Sequence, residues 1–150
     1  MINNNQKVWL GRKKIQGKNN VYIEIPELIK TLGERATSVA KKVSEIESTG
    51  EFQECVMNYY TENSKLGFHS ETEAKGAVIS FSIGDSASFL FKKTWSKSSK
   101  VHQVILKSGD VLIFGGVSRQ IVHSVDCVYK ETGPSFLSFT GRINFNLREK

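Results

Sequence analysis

The stretch GRINFNLREK, residues 141–150, sets Arg142, Asn144, Asn146 and Arg148 in alternation with Ile143, Phe145 and Leu147. Period-two alternation predicts a strand with one polar and one apolar face. Similar short runs recur from residue 52 onward: ECVMNYY (54–60), AVISFSI (77–83), ASFLFKK (87–93), HQVILK (102–107), VLIFG (111–115), QIVHSVDCVY (120–129) and FLSFTGRINFNLR (136–148). Glycine-containing turn signals separate them at residues 84–85, 109–110, 115–116 and 132–134. Many short strands joined by polar turns imply a sandwich or a jelly-roll barrel. Upstream, KVWLGRKK and NVYIEI read as strand-like, and one helix follows them. Pro26 suits its first turn. Leu28, Leu32, Ala36, Val39, Val43 and Ile46 step by three or four residues, and Gly50 is placed to end it. That stripe is expected to pack on a sheet. The expected fold is therefore mainly β with one long helix, a barrel able to hold a ligand in its mouth.

Composition narrows the setting. At 150 residues the chain reads as a single domain with room for a real core. Its longest apolar runs are too short to cross a bilayer. The start MINNNQKVWLGRKK lacks the apolar stretch of a signal peptide, so an intracellular protein, cytoplasmic or nuclear, is expected. Cys55 and Cys127 have no metal-type spacing and read as reduced thiols. The net charge of +6 favours polyanionic partners weakly. Much of the excess lies in GRKKIQGK (11–18) and KKTWSKSSK (92–100), beside Trp9 and Trp95. Two readings stay open for these segments: solvated loops, or lysines following phosphates while an indole stacks on a base.

The chemistry concentrates in NYYTENSKLGFHSETE, residues 58–73. His69 and Glu71 stand two apart, so on a strand they would share a face. An imidazole and a carboxylate on one face are two ligands of the 2-His-1-carboxylate triad of non-haem iron enzymes. Such a pair also arises by chance, and a third ligand must come from elsewhere. His102 follows a Lys/Ser-rich loop and reads as an ordinary exposed histidine. His123, inside RQIVHSVDCVY, reads by itself as a satisfied core residue. An iron enzyme using 2-oxoglutarate further needs a cation for the far carboxylate, and the planar fork of arginine suits that task.

In the order histidine-x-acid, distant histidine, arginine-bearing strand, the chain resembles the AlkB-type Fe(II)- and 2-oxoglutarate-dependent dioxygenases. NYYTENSKLGFHSE, AVISFSIGDSASFLF, LKSGDVLIFGGVSRQIVHSV and RINFNLR carry the resemblance, over about residues 25–148. It implies a double-stranded β-helix core over 52–150, a helix over 25–50 packing on the barrel, and a short basic lid-like segment over 1–24. It implies that His69, Glu71 and His123 bind Fe(II) and, with Arg148, form the catalytic set. Asn58, Tyr60 and Arg142 would hold the distal end of 2-oxoglutarate, with Asn144 and Arg148 nearer its metal-bound end. Splitting the arginines suits their Cα separation of about 20 Å along an extended strand. On the substrate side the resemblance places Phe114, Ser118, Arg119 and Glu73, with Trp9 and Tyr22 as stacking groups. Two departures stand out: the family's usual acidic ligand is aspartate, not glutamate, and the segment before the helix is short.

The implied activity is oxidative demethylation of N-alkylated bases in single-stranded DNA or RNA, releasing formaldehyde, succinate and CO₂, with no membrane partner. Two alternatives stay open from the sequence. One is a protein side-chain hydroxylase or demethylase of the same fold. The other is a catalytically silent β-barrel that binds nucleic acid, kept alive by the glutamate at 71.

Overall fold

The computed structural model describes residues 6–11, 23–44, 46–71 and 76–149. Among these described residues, nine strands and one α-helix follow in order: β1 (Gln6–Leu10), α1 (Glu27–Val43), β2 (Glu54–Tyr60), β3 (Leu66–His69), β4 (Val78–Gly84), β5 (Ser86–Lys92), β6 (His102–Leu106), β7 (Val111–Phe114), β8 (Val122–Tyr129) and β9 (Arg142–Arg148). A single 3-10 turn, Gly116–Ser118, links β7 to β8. One sheet runs β1-β2-β9-β4-β7 and the other β3-β8-β5-β6, with every described pairing antiparallel. These two sheets, with most consecutive strands from β2 onward crossing from one to the other, form the double-stranded β-helix.

Strand β9 lies at the centre of the larger sheet and divides its chemistry by face. Leu147 joins Cys55, Ile79, Ala77, Leu10 and Ile25 in a buried cluster, with Phe145, Phe81 and Ile29 packed against it. That face lies under α1. The opposite face carries Arg142, Asn144, Asn146 and Arg148, flanked in register by Tyr60, Asn58, Val56 and Glu54 of β2 and by Gly84, Ser82, Ser80 and Val78 of β4. A second cluster, Tyr60, Ala87, Val125 and Val128, fills the barrel. The strand opens on Gly141, whose φ of 93° suits glycine and whose Cβ, if present, would meet the Tyr60 carbonyl oxygen at 2.5 Å.

The helix differs from its expected form. It stops at Val43 rather than near Gly50, because Ser44 turns extended and both its N–H and its hydroxyl donate to the Ala40 carbonyl, each at 2.9 Å. Most of the expected stripe does not face the sheet: Leu28, Val39 and Val43 are 70%, 60% and 79% exposed, while Ala36 does pack on the core. Gly33, Thr37 and Ala40 are buried instead. Small residues let the helix axis approach the sheet. A Cβ at Gly33 would lie 2.5 Å from Leu147 Cδ1 and from Phe52 Cε2, so the helix turns its smallest face inward. Ile46 lies beyond the helix and still packs on the core.

Two strand expectations are also shortened. Residues 23–26 form no strand. The run 136–148 becomes a strand only at Arg142, and the buried Asp85 carboxylate takes the amide of Gly141 just before it and two amides of the preceding turn. It accepts from Thr132 N–H (3.0 Å), Gly133 N–H (2.9 Å) and Gly141 N–H (3.1 Å), which a partner strand would otherwise have to satisfy. Among the described residues no helix is long and apolar enough to cross a membrane.

Candidate metal and co-substrate site

His69 is the last residue of β3, and β3 pairs with β8 so that His69 lies opposite His123. Their ring centroids are 4.3 Å apart. Glu71 lies two residues beyond the strand, in the loop, and not on the strand itself. It nonetheless turns back: Glu71 Oε1 is 3.9 Å from His69 Nε2, and one donor atom from each of the three residues lies within 4.8 Å of the others. Among the described residues they form the one such cluster of His, Cys, Asp and Glu.

The protonation pattern suits a cation. His69 Nδ1 lies 2.9 Å from the Gly67 carbonyl oxygen, and His123 Nδ1 lies 3.2 Å from that of Ile121. A carbonyl only accepts, so each Nδ1 carries a proton, and Nε2 is the ring atom left to ligate. Burial pushes the His123 imidazole down to a pKa of about 4, and the neighbouring His69 adds to this effect. It is therefore neutral, and able to ligate, at physiological pH. Two imidazoles and a carboxylate are a donor set that fits Fe(II).

Arg148 holds the carboxylate. Its Nη2 donates to Glu71 Oε1 at 2.8 Å and lies 2.6 Å from Oε2, while its Nη1 donates to Glu54 Oε1 at 2.9 Å. Glu54 is 1% exposed and faces Arg148 directly across β2 and β9. Nothing in the sequence singled out Glu54; its acid at an inward position of ECVMNYY was the available signal. Arg148 thus acts on the metal ligand rather than lining the cavity.

A cavity of about 30 Å³ is lined by both imidazoles and by Arg142, Tyr60, Asn144 and Asn146. Arg142 is 1% exposed, and its Nε and Nη1 have no hydrogen-bond partner among the described residues. Burial lowers its pKa from the ordinary value, with the Tyr60 oxygen opposing. A buried guanidinium without its complement of acceptors is unfavourable until an anion reaches it. The far carboxylate of 2-oxoglutarate fits that need. Asn58 is also buried, with Oδ1 unpartnered, but does not line the cavity. Asn144 is committed to Ser80 Oγ (2.7 Å) and the Phe81 carbonyl (2.9 Å).

The residues expected on the substrate side divide. Phe114 is buried, lines the cavity and sits 5.2 Å from the His123 ring. Ser118 instead closes its own turn, donating to Gly115 O at 2.8 Å and accepting from Gly115 N–H at 3.1 Å. Arg119 is buried and its Nε donates to Gly76 O at 2.7 Å; burial lowers its pKa, with Glu71 opposing and Arg148 adding to the shift. Trp9 pairs through its backbone with Val56, and its side chain lies outside the described residues, as do Tyr22 and Glu73. His102 is exposed, as expected, yet stacks on Phe91 at 5.3 Å, a contact not foreseen.

Comparison with known proteins places this geometry among relatives. The family model described as the 2OG-Fe(II) oxygenase superfamily matches residues 4–148. The chain is 37% identical to the DNA N(6)-methyladenine demethylase ALKBH1D of Arabidopsis thaliana, covering 83% of this chain and 33% of that protein. It is 30% identical to the tRNA demethylase abh1 of Schizosaccharomyces pombe, covering 83% of this chain and 45% of that one. It thus spans less than half the length of these two curated relatives. The solved structure of OsALKBH1 superposes with a TM-score of 0.88 at 29% identity, over 97% of this chain and 78% of that one. Likeness running through nearly the whole chain, on this fold, makes the assignment plain: the chain belongs to the 2OG-Fe(II) oxygenase superfamily and is of the AlkB type.

Proposed function

We propose that this chain carries the catalytic core of an Fe(II)- and 2-oxoglutarate-dependent dioxygenase that oxidatively removes alkyl groups from nitrogen atoms of nucleic-acid bases. The observation that carries the reading is the convergence of His69, Glu71 and His123 at one end of a barrel with a buried, incompletely paired Arg142. When bound, Fe(II) with 2-oxoglutarate supplies the oxidation of the alkyl carbon by O₂, with succinate, CO₂ and, for a methyl group, formaldehyde as products. The chain's residues do the rest. His69, Glu71 and His123 hold the ion, and Arg148, braced by Glu54, keeps the Glu71 carboxylate turned toward both imidazoles. Arg142 and Tyr60 receive the far carboxylate of the co-substrate, with Asn144 and Asn146 along its length. Phe89 and Phe114, both against His123, exclude water from the reacting end.

The nucleic-acid substrate is supported by relatives whose names specify DNA N(6)-methyladenine or tRNA, and by the basic balance of the chain. We assign it to unpaired strands, since a base must leave a duplex to reach a barrel interior. The test is iron-dependent succinate and formaldehyde release with methylated oligonucleotides, unmethylated oligonucleotides and methylated peptides. Stoichiometric formaldehyde from the methylated strand alone supports the reading. Stimulation by the peptide alone would move the substrate to protein, and bound iron with no stimulated turnover would leave a silent barrel. Replacing Glu71→Asp separates a working from an impaired ligand: turnover should fall by about a hundredfold, because the shorter acid cannot meet both Arg148 and the ion.

A further inference from the structure

The register of the smaller sheet sets four rings in one row. His69 pairs with His123, His123 with Phe91, and Phe91 with His102. The β5–β6 connection, residues 93–101, therefore leaves the sheet immediately beyond the metal-site row. Rings continue outward from the site: Phe89 stacks on His123 at 5.4 Å, Phe91 follows at 6.3 Å from Phe89, and His102 stacks on Phe91 at 5.3 Å. Burial falls along this line, from His123 and Phe89 inside, through half-buried Phe91, to exposed His102.

The connection itself is cationic. From Ser86 to Gly109 the chain has five lysines and no acidic residue. Lys93, Lys97 and Lys100 are exposed, and none forms an ion pair with a described residue. Trp95 is 59% exposed among them. The tip is tied internally: Thr94 N–H donates to Ser99 Oγ at 3.2 Å, Ser96 N–H to Thr94 Oγ1 at 3.3 Å, and Ser99 N–H to the Ser96 carbonyl at 3.1 Å. An indole is thus displayed on an ordered, acid-free loop. Lysines alone would suit any polyanion. Exposed rings, Trp95 and His102, at the outer end of a row that leads to the site suit one whose monomers also stack, which is an unpaired nucleic-acid strand.

We propose that the β5–β6 connection is the docking track for a single strand, with Lys93, Lys97 and Lys100 neutralising phosphates, Trp95 stacking on a base, and Phe91 and His102 guiding the target toward the metal site. This rests on the nucleic-acid reading above and adds where the strand lies. The experiment is fluorescence anisotropy of the whole chain with a labelled single strand of about 16 nucleotides, titrated at several salt concentrations. Joint replacement of Lys93→Ala, Lys97→Ala and Lys100→Ala should make the slope of log K against log salt shallower by about 2. Affinity near 0.1 M salt should drop at least tenfold. Trp95→Ala should weaken binding about fivefold or more with the slope unchanged, and should leave binding to the matching duplex unaltered. Thermal unfolding near the native midpoint establishes that the variants fold.

Native affinity and slope in the triple variant, with the parent binding salt-sensitively, would overturn the track and leave the nucleic-acid reading standing. A parent that binds neither single strands nor duplexes would overturn both. A poly-glutamate chain of equal charge competing as well as the oligonucleotide would overturn the stacking role of Trp95.

Discussion

Arg142 and Arg148 share one face of β9 and meet opposite electrostatic surroundings. Register explains the difference: β2 offers Glu54 opposite Arg148 and Tyr60 opposite Arg142. Arg148 is thus paired through both terminal nitrogens with two protein carboxylates, whereas Arg142 is left to an anion from outside. Arg142→Met should therefore keep or raise the melting temperature of the ligand-free chain, since it removes an incompletely paired buried charge. The same variant should lose the thermal stabilisation that 2-oxoglutarate gives the parent. Glu54→Gln should do the reverse. It leaves Arg148 half-paired in a buried site, lowering stability by about 3 kcal/mol in urea unfolding. Metal affinity should fall about tenfold, read by titration of a spectroscopic Co(II) surrogate. A third expectation concerns Cys55, which is fully buried and whose thiol burial pushes up to about 12, with Arg148 opposing. A raised pKa keeps the thiol protonated until pH approaches that value. At pH 8 the native chain should react with a thiol reagent at half-buried Cys127 only, and the unfolded chain at both.

At the scale of elements, α1 shows how a periodic pattern can identify a helix and misplace its inward face. Leu28, Leu32, Ala36, Val39, Val43 and Ile46 form a clean stripe in the sequence. Ala36 and Ile46 do pack on the core, but beside Ala36 and Ile29 the helix buries Gly33, Thr37 and Ala40 rather than the four larger stripe residues. Hydrophobicity ranks side chains by transfer from water, while close approach of a helix to a sheet ranks them by size. Gly33→Ala tests this directly. Helix propensity alone favours alanine by about 1 kcal/mol. Contact with Leu147 and Phe52 should outweigh that gain, lowering stability by about 1–2 kcal/mol in denaturant titration. The strands were read more reliably, because alternation reports which side of the pleat a residue occupies whatever its size. Residues 23–26 and the segment before Gly141 are overextended in that reading; the Gly141 amide goes to the Asp85 carboxylate, a long-range contact with no local signature.

For the whole molecule, the barrel brings together residues that are remote in the chain. His69, Glu71 and His123 were picked out because a short histidine-acid pair, a distant histidine and an arginine strand form a recognisable order; the structure gathers them within 4.8 Å. Glu54 and the ring row through Phe91 to His102 escaped notice because only strand pairing makes them neighbours of the site. The same strand, β9, supplies both the apolar layer beneath α1 and the polar wall of the cavity. A slip of one residue would exchange them, sending Ile143, Phe145 and Leu147 into the barrel and two guanidiniums beneath the helix. No partial error is available: misaligned chains would be insoluble and inactive at once. Across a collection of β9 variants, soluble yield and turnover should decline in parallel, and a class that is well expressed but catalytically dead should be confined to changes at Arg142, Asn144, Asn146 and Arg148.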